Sequence, residues 1–157
     1  MKHISLFILG ILSVQSFCFA DVTKLPAADQ QALRDVSRFH EIHGATNLPP
    51  VVFALCTDAA GRLAEPGEKW ELGDVITDAK LPTKRLIWVV TDGEYYVVHY
   101  ERGGRAHSFH VLAARLKDGE SKPSLTWRGV GDHLNDFKAF VRALASNKLD
   151  DTLNYGH

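Results

Sequence analysis

The chain has little cysteine, no excess of charge of one sign, and no long apolar run after its N-terminal segment. Of the two cysteines, Cys18 lies in that segment, so removing the segment leaves only Cys56. An intramolecular disulfide is then excluded, and stability must come from a hydrophobic core. The net charge of −1 at pH 7 gives no electrostatic reason to bind nucleic acid or an anionic membrane.

The rest of the composition is that of an ordinary globular protein. The 157 residues are 45% hydrophobic and 24% charged, which excludes a disordered chain, a collagen-like fibre and a polytopic membrane protein. No repeat or low-complexity block interrupts the chain. We therefore expect residues 21–157 to form a single α+β domain, since this length is sufficient to bury one core.

Residues 1–20 have the pattern of a secretory signal peptide. A short polar start with Lys2 is followed by an apolar run over residues 4–12, and Cys18 and Ala20 occupy the −3 and −1 positions before Asp21. The run is shorter than the approximately 20 apolar residues of a spanning helix. We expect cleavage after Ala20, no membrane span in the mature chain, and a periplasmic or secreted protein.

Apolar periodicity predicts a helix at each end of the domain. The first covers residues 26–43, with Pro26 suited to a first helical turn. The last begins at Asp132 as N-cap and ends near residue 147. Its apolar stripe consists of Leu134, Phe137, Val141 and Leu144.

Between the two helices the pattern predicts mainly strands. Residues 51–56 form an unbroken apolar run typical of a strand buried on both faces, and residues 57–84 are irregular, with a short strand near Trp70. Strands then follow at residues 85–90, 95–101, from 105 or 106 to 116, and 124–128. The fold class is thus an antiparallel β-meander of about four to five strands packed against an N-terminal and a C-terminal helix.

Two short turns determine the expected register of the meander. Asp92-Gly93 and Gly103-Gly104 are both typical of two-residue hairpin loops. The second turn would pair Arg102 with Arg105. Because side chains alternate along a strand, one face would then carry the more apolar residues, with Tyr96, Val98 and Phe109 among them, against the C-terminal helix.

The opposite face would have a polar end with His99, Glu101, Ser108 and His110. Two imidazoles and a carboxylate are ligand types suited to zinc or iron, so His99, Glu101 and His110 form an alternative metal site. Ser108 opposite His99, with Glu101 nearby, offers an alternative hydrolytic arrangement, although no nucleophile-elbow motif accompanies it. These alternatives would make the chain a small periplasmic enzyme or a metal-binding protein.

The hairpin tip itself is the preferred candidate for function. Tyr100, Arg102, Arg105 and His107 surround the two glycines, and Tyr and Arg are enriched at binding hot spots. A tight turn would present both guanidinium groups to a partner, which suits acidic clefts. This favours a non-enzymatic binding domain, without a cofactor, whose partner is another protein.

The layout of leader, single α+β domain and exposed hairpin is similar to that of periplasmic lysozyme inhibitors and of immunity proteins against secreted toxins. The similarity is one of organisation and involves no shared motif. It implies an inhibitor-like or immunity-like role, with an envelope enzyme as a candidate partner.

Overall fold

A computed structural model describes residues 24–104 and 106–152. The sequence-predicted leader and Arg105 lie outside these ranges. The described helices are α1 (Ala27–Arg34), α2 (Pro50–Cys56) and α3 (Phe137–Ala145), with 3-10 turns at Val36–Arg38 and Ala45–Asn47. The strands are β1 (His40–Glu41), β2 (Lys84–Thr91), β3 (Tyr95–Arg102), β4 (Ser108–Arg115) and β5 (Leu125–Gly131). No helix within the described ranges is both long and apolar enough to cross a membrane.

The strands form one antiparallel sheet in the order β1-β2-β3-β4-β5, which confirms the predicted α+β meander. Alternation divides its side chains into two apolar cores. We name the two sides by the helices that cover them. The α3 face carries Trp88, Val97, Val111 and Trp127 against α1 and α3. The α2 face carries Leu86, Val98, Tyr100 and Leu112 against α2.

The segment predicted as a doubly buried strand is a helix instead. Pro50 occupies the first turn of α2, where its fixed φ suits a helix and its missing N–H is not needed. Val52 and Cys56, four residues apart, are buried against the sheet. A short apolar run is compatible with a buried strand and with a buried helix. The second face of the sheet is also apolar, and α2 packs against it and removes it from water.

The predicted N-terminal helix is too long. It ends at Arg34, because His40–Glu41 pairs with Val90 and Thr91 at the edge of β2. At the other end of the domain, α3 begins after Asp136, whose side chain accepts a hydrogen bond from the Ala139 N–H, so the predicted N-cap Asp132 is wrong. The region around Trp70 is irregular and contains no strand.

The predicted register is wrong at the second hairpin. Tyr100 pairs with His110 and Arg102 with Ser108, so the connection spans residues 103–107. The difference from the two-residue turn is an odd number of positions, and it therefore moves every side chain of β4 to the opposite face. At the first hairpin Thr91 pairs with Tyr96, an even shift that keeps Val89, Tyr96 and Val98 on one face. This face packs against α2, so the prediction that Tyr96 and Val98 lie against the C-terminal helix is wrong.

Candidate functional site

Gly103 and Gly104, which follow β3, are held by a neighbouring loop. The Gly103 N–H donates to the Thr83 carbonyl at 3.0 Å, and the Gly104 N–H donates to the Leu72 carbonyl at 3.2 Å. A Cβ atom on Gly103 would collide with the carbonyl oxygen of Glu71. These N–H groups bond to the irregular region rather than across the hairpin, which explains why a two-residue turn does not form.

Substituting Gly103 with alanine is expected to destabilise the protein by about 1–3 kcal/mol, because the added methyl group forces the two segments apart. Urea unfolding would measure the loss, and faster amide exchange at Glu71 and Gly104, whose N–H groups donate to the Pro82 and Leu72 carbonyls, would locate it. Gly119→Ala is the control, since Gly119 has φ +80° but nothing within 4 Å. The control should lose stability without faster exchange at Gly104. Equal exchange in both variants would contradict the close contact.

On the α3 face, Glu101 is the centre of a polar network at the end of the sheet. Its buried carboxylate accepts from Arg85 Nε at 2.7 Å and contacts His107 Nε2 at 2.8 Å. The Arg85 guanidinium lies 5.1 Å from the Trp70 ring centre, and the His107 ring lies 5.7 Å from it. The network fixes His107, whose ring is partly exposed, in one orientation at the surface.

His99 lies behind this network and has a structural role. It is 0% exposed, with Nδ1 2.9 Å from the His110 carbonyl oxygen and Nε2 accepting from the Leu134 N–H at 3.1 Å. This pair of bonds requires the neutral tautomer with the proton on Nδ1. Burial lowers the pKa of His99 to about 4. The ring thereby connects β3, β4 and the segment that precedes α3.

Tyr100, Arg102 and His110 lie on the opposite, α2 face. Tyr100 is 3% exposed and its ring stacks on His110 at 5.2 Å, so the prediction that it forms part of an exposed binding surface is wrong. Arg102 is half-buried beside Ser108. Ser108 Oγ lies 2.8 Å from His110 Nε2, whereas the predicted neighbour of Ser108 was His99.

The alternative metal and hydrolytic arrangements both required His99, Glu101 and His110 or Ser108 on one face. The register places His99 and Glu101 on the α3 face and His110 and Ser108 on the α2 face, so these predicted groupings are wrong. Among the described residues, no three His, Cys, Asp or Glu side chains are placed to hold one metal ion. Cys56 is fully buried, and burial raises the pKa of its thiol to about 12.

A feature that sequence reasoning missed is the loop of residues 71–78, which we call the Glu71 loop. Its exposed side chains include Leu72 at 47%, Val75 at 73% and Ile76 at 62%. These are the large apolar residues that are exposed in the described part of the chain. The sequence did contain a signal, because two adjacent β-branched apolar residues occur between Gly73 and Pro82 without any strand or helix pattern.

The Glu71 loop is closed by its own buried carboxylate. Glu71 Oε2 accepts from the Thr77 N–H at 3.0 Å, the Thr77 hydroxyl at 2.9 Å and the Asp78 N–H at 3.0 Å. The Asp78 N–H and the Thr77 hydroxyl hold the pKa of Glu71 below its usual range. Arg62 Nη1 donates to the Ala79 and Lys80 carbonyls at 2.9 and 2.7 Å. The apolar tip is thus presented on a fixed backbone.

No family model matches the chain, and neither the curated proteins nor the solved structures give a match.

Proposed function

We propose that this protein is a binding domain that recognises another protein through the apolar tip of the Glu71 loop. The observation that carries the proposal is the exposure of Leu72, Val75 and Ile76 in a loop whose backbone is held by Glu71. Exposed apolar side chains cost free energy in water, and grouping them on one loop is typical of a contact surface. The partner would present an apolar cleft that removes these side chains from water.

Preorganisation supports a binding role for this loop. A loop that is already ordered loses little conformational entropy when a partner binds, so more of the contact energy appears as affinity. The three donors on one Glu71 oxygen supply that order locally. A hydrogen bond from the Gly104 N–H, two residues beyond the end of β3, to the Leu72 carbonyl adds a further restraint.

The surface next to the loop suits the rim of such an interface. Leu72 contacts the 103–107 connection, and the exposed His107 lies against Trp70. Aromatic and imidazole side chains around an apolar centre combine apolar contact with hydrogen bonding. His107 thus keeps the contact role proposed from the sequence, together with the apolar tip.

Photocrosslinking tests the proposal directly. A photoreactive phenylalanine analogue at position 75 should form a specific adduct in an envelope fraction of the source organism. The adduct should disappear when excess unlabelled wild-type protein competes, but should persist when the competitor is Ile76→Asp. We expect Ile76→Asp to weaken binding by about 30-fold or more, the effect of losing a hot-spot residue.

Two controls make the result decisive. The same probe at Lys138, exposed on α3, should give no competed adduct. Glu71→Ala leaves the apolar side chains in place but removes the acceptor of three hydrogen bonds in the loop, so it should weaken binding and lower the free energy of unfolding by about 1–3 kcal/mol. Adducts of equal yield at positions 75 and 138, or equal competition by wild type and Ile76→Asp, would refute the proposal.

We also propose that the chain acts outside the cytoplasm, in the periplasm or after secretion. The support is the segment of residues 1–20, with its apolar run and small residues before Asp21. N-terminal sequencing of protein from the source organism should find Asp21 as the first residue. A Met1 start, or a lipid on Cys18, would contradict the proposal.

A further inference from the structure

A row of polar side chains crosses the α2 face at the end of the sheet. Lys84, Arg102 and Ser108 are direct neighbours on β2, β3 and β4. Adjacent strands are about 5 Å apart, so side chains in such a row can contact one small ligand together. All three residues are partly exposed to solvent.

Positive charge dominates around this row. Arg128 of β5 is also on the α2 face and hydrogen-bonds to the Tyr100 hydroxyl. Lys84 Nζ lies 5.2 Å from the Tyr100 ring centre and donates to the Thr57 carbonyl at 2.6 Å. Within the described ranges, neither Lys84 nor Arg102 forms an ion pair with a carboxylate.

Asp58 is a carboxylate with an electrostatic effect on Lys84, but it already has other hydrogen-bond and ion-pair partners. Asp58 lies near Lys84, but its oxygens accept from the Ala60, Arg62 and Thr83 N–H groups and it is ion-paired with the Arg62 side chain at 3.3 Å. Burial lowers the pKa of Lys84, and Arg102 and Arg128 lower it further. A cation that is partly desolvated without a counter-charge is unfavourable, and a bound anion would relieve that cost.

The Ser108–His110 pair superficially resembles a nucleophile and its general base. General-base catalysis would convert His110 to an imidazolium. Burial and the neighbouring cations Arg102, Lys84 and Arg128 oppose that charge and lower the pKa of His110 to about 4. The same cations stabilise a negative ligand, so the electrostatics of this row favour anion binding over proton abstraction.

We propose that the row of Lys84, Arg102 and Ser108 binds a tetrahedral dianion, namely a phosphate or sulfate group. Arg102 offers a planar fork of donors to two oxygens, and Lys84 adds a second positive charge. The Ser108 hydroxyl donates to a third oxygen, with the neutral His110 ring then donating its Nε2–H to Ser108 Oγ. The site shares no residue with the Glu71 loop. The anion is either free or the terminal group of a small organic ester.

Titration with defined anions tests the site. Inorganic phosphate, sulfate, a phosphate monoester and acetate would be added to the mature chain at constant ionic strength, with amide chemical shifts as the readout. We expect saturable shifts at Arg102 and Ser108 with phosphate and sulfate, and at least tenfold weaker binding of acetate. Tighter binding of the monoester than of phosphate would identify an organic ester as the ligand, and the reverse order would identify the free anion.

Charge-matched variants decide between a site and general attraction. Arg102→Gln should weaken phosphate binding at least tenfold, and Ser108→Ala should weaken it severalfold. Arg142→Gln makes the same change of charge on the exposed surface of α3 and should leave binding unaltered. An adventitious ion only, shown by shifts that do not saturate or that respond equally to Arg102→Gln and Arg142→Gln, would overturn the proposal, as would acetate binding as tightly as phosphate.

Discussion

Lowering the pH from 6.5 to about 4 is expected to remove roughly 3 kcal/mol of folding stability for each of His99 and His110. Both imidazoles are buried, and burial is the main reason that their pKa values fall from 6.5 to about 4. The unfolded chain therefore takes up these protons at a higher pH than the folded chain does. The stabilisation is complete above pH 6.5 and is lost progressively as the pH falls to about 4.

Urea unfolding at several pH values between 7 and 4 would measure this slope. His110→Gln cannot titrate at this position and should remove about half of the pH dependence, whereas His40→Gln, at an exposed position on β1, should leave it unchanged. The slope above about pH 5 reports the two rings, because carboxylates with lowered pKa values, such as Glu71 (from 4.5) and Asp58 (from 3.8), add to the loss of stability only at lower pH. A flat profile from pH 6.5 to 4 would show that the two rings are accessible to water.

Phe140→Ala is expected to cost about 3–5 kcal/mol, the usual effect of deleting a buried aromatic ring. Phe140 is 0% exposed, and its ring centre lies 5.7 Å from that of Phe137 and 6.4 Å from that of Trp127. The cavity would open between α3 and the sheet, where rigid aromatic neighbours limit its collapse.

The neighbouring residue provides the matched control. Val141 is only partly buried, so Val141→Ala should cost well under half as much in the same urea measurement. Sequence periodicity placed Val141 in the apolar stripe and Phe140 beside it. A larger loss for Val141→Ala than for Phe140→Ala would mean that α3 is rotated from the orientation described above.

The strands of the meander were predictable because local sequence signals agreed with one another. Residues 85–90 and 95–101 are rich in strong β-forming residues, and the turn signal Asp92-Gly93 separates them. Both segments fall within the observed strands β2 and β3. Residues 51–56 were not predictable in the same way, because a six-residue apolar run has no period that separates a strand from a helix. The Pro49-Pro50 pair was the available signal for α2, since Pro50 stands at its first turn.

The composition of the candidate site was visible in the sequence, but its division between two faces was not. The polar residues 99–110 were identified as a unit, yet their grouping depended on the length of one connection. That length was decided by Gly103 and Gly104 bonding to Thr83 and Leu72, contacts from residues far away in the chain.

Local propensity and periodicity were enough to establish the α+β class and the antiparallel meander from the sequence. The tertiary structure alone decided the register of β3 against β4, and with it the separation of His99 and Glu101 from Ser108 and His110. It also decided that Leu72, Val75 and Ile76 remain exposed. Burial and register arise from which distant segments meet, and an odd shift in pairing exchanges the two faces of a strand.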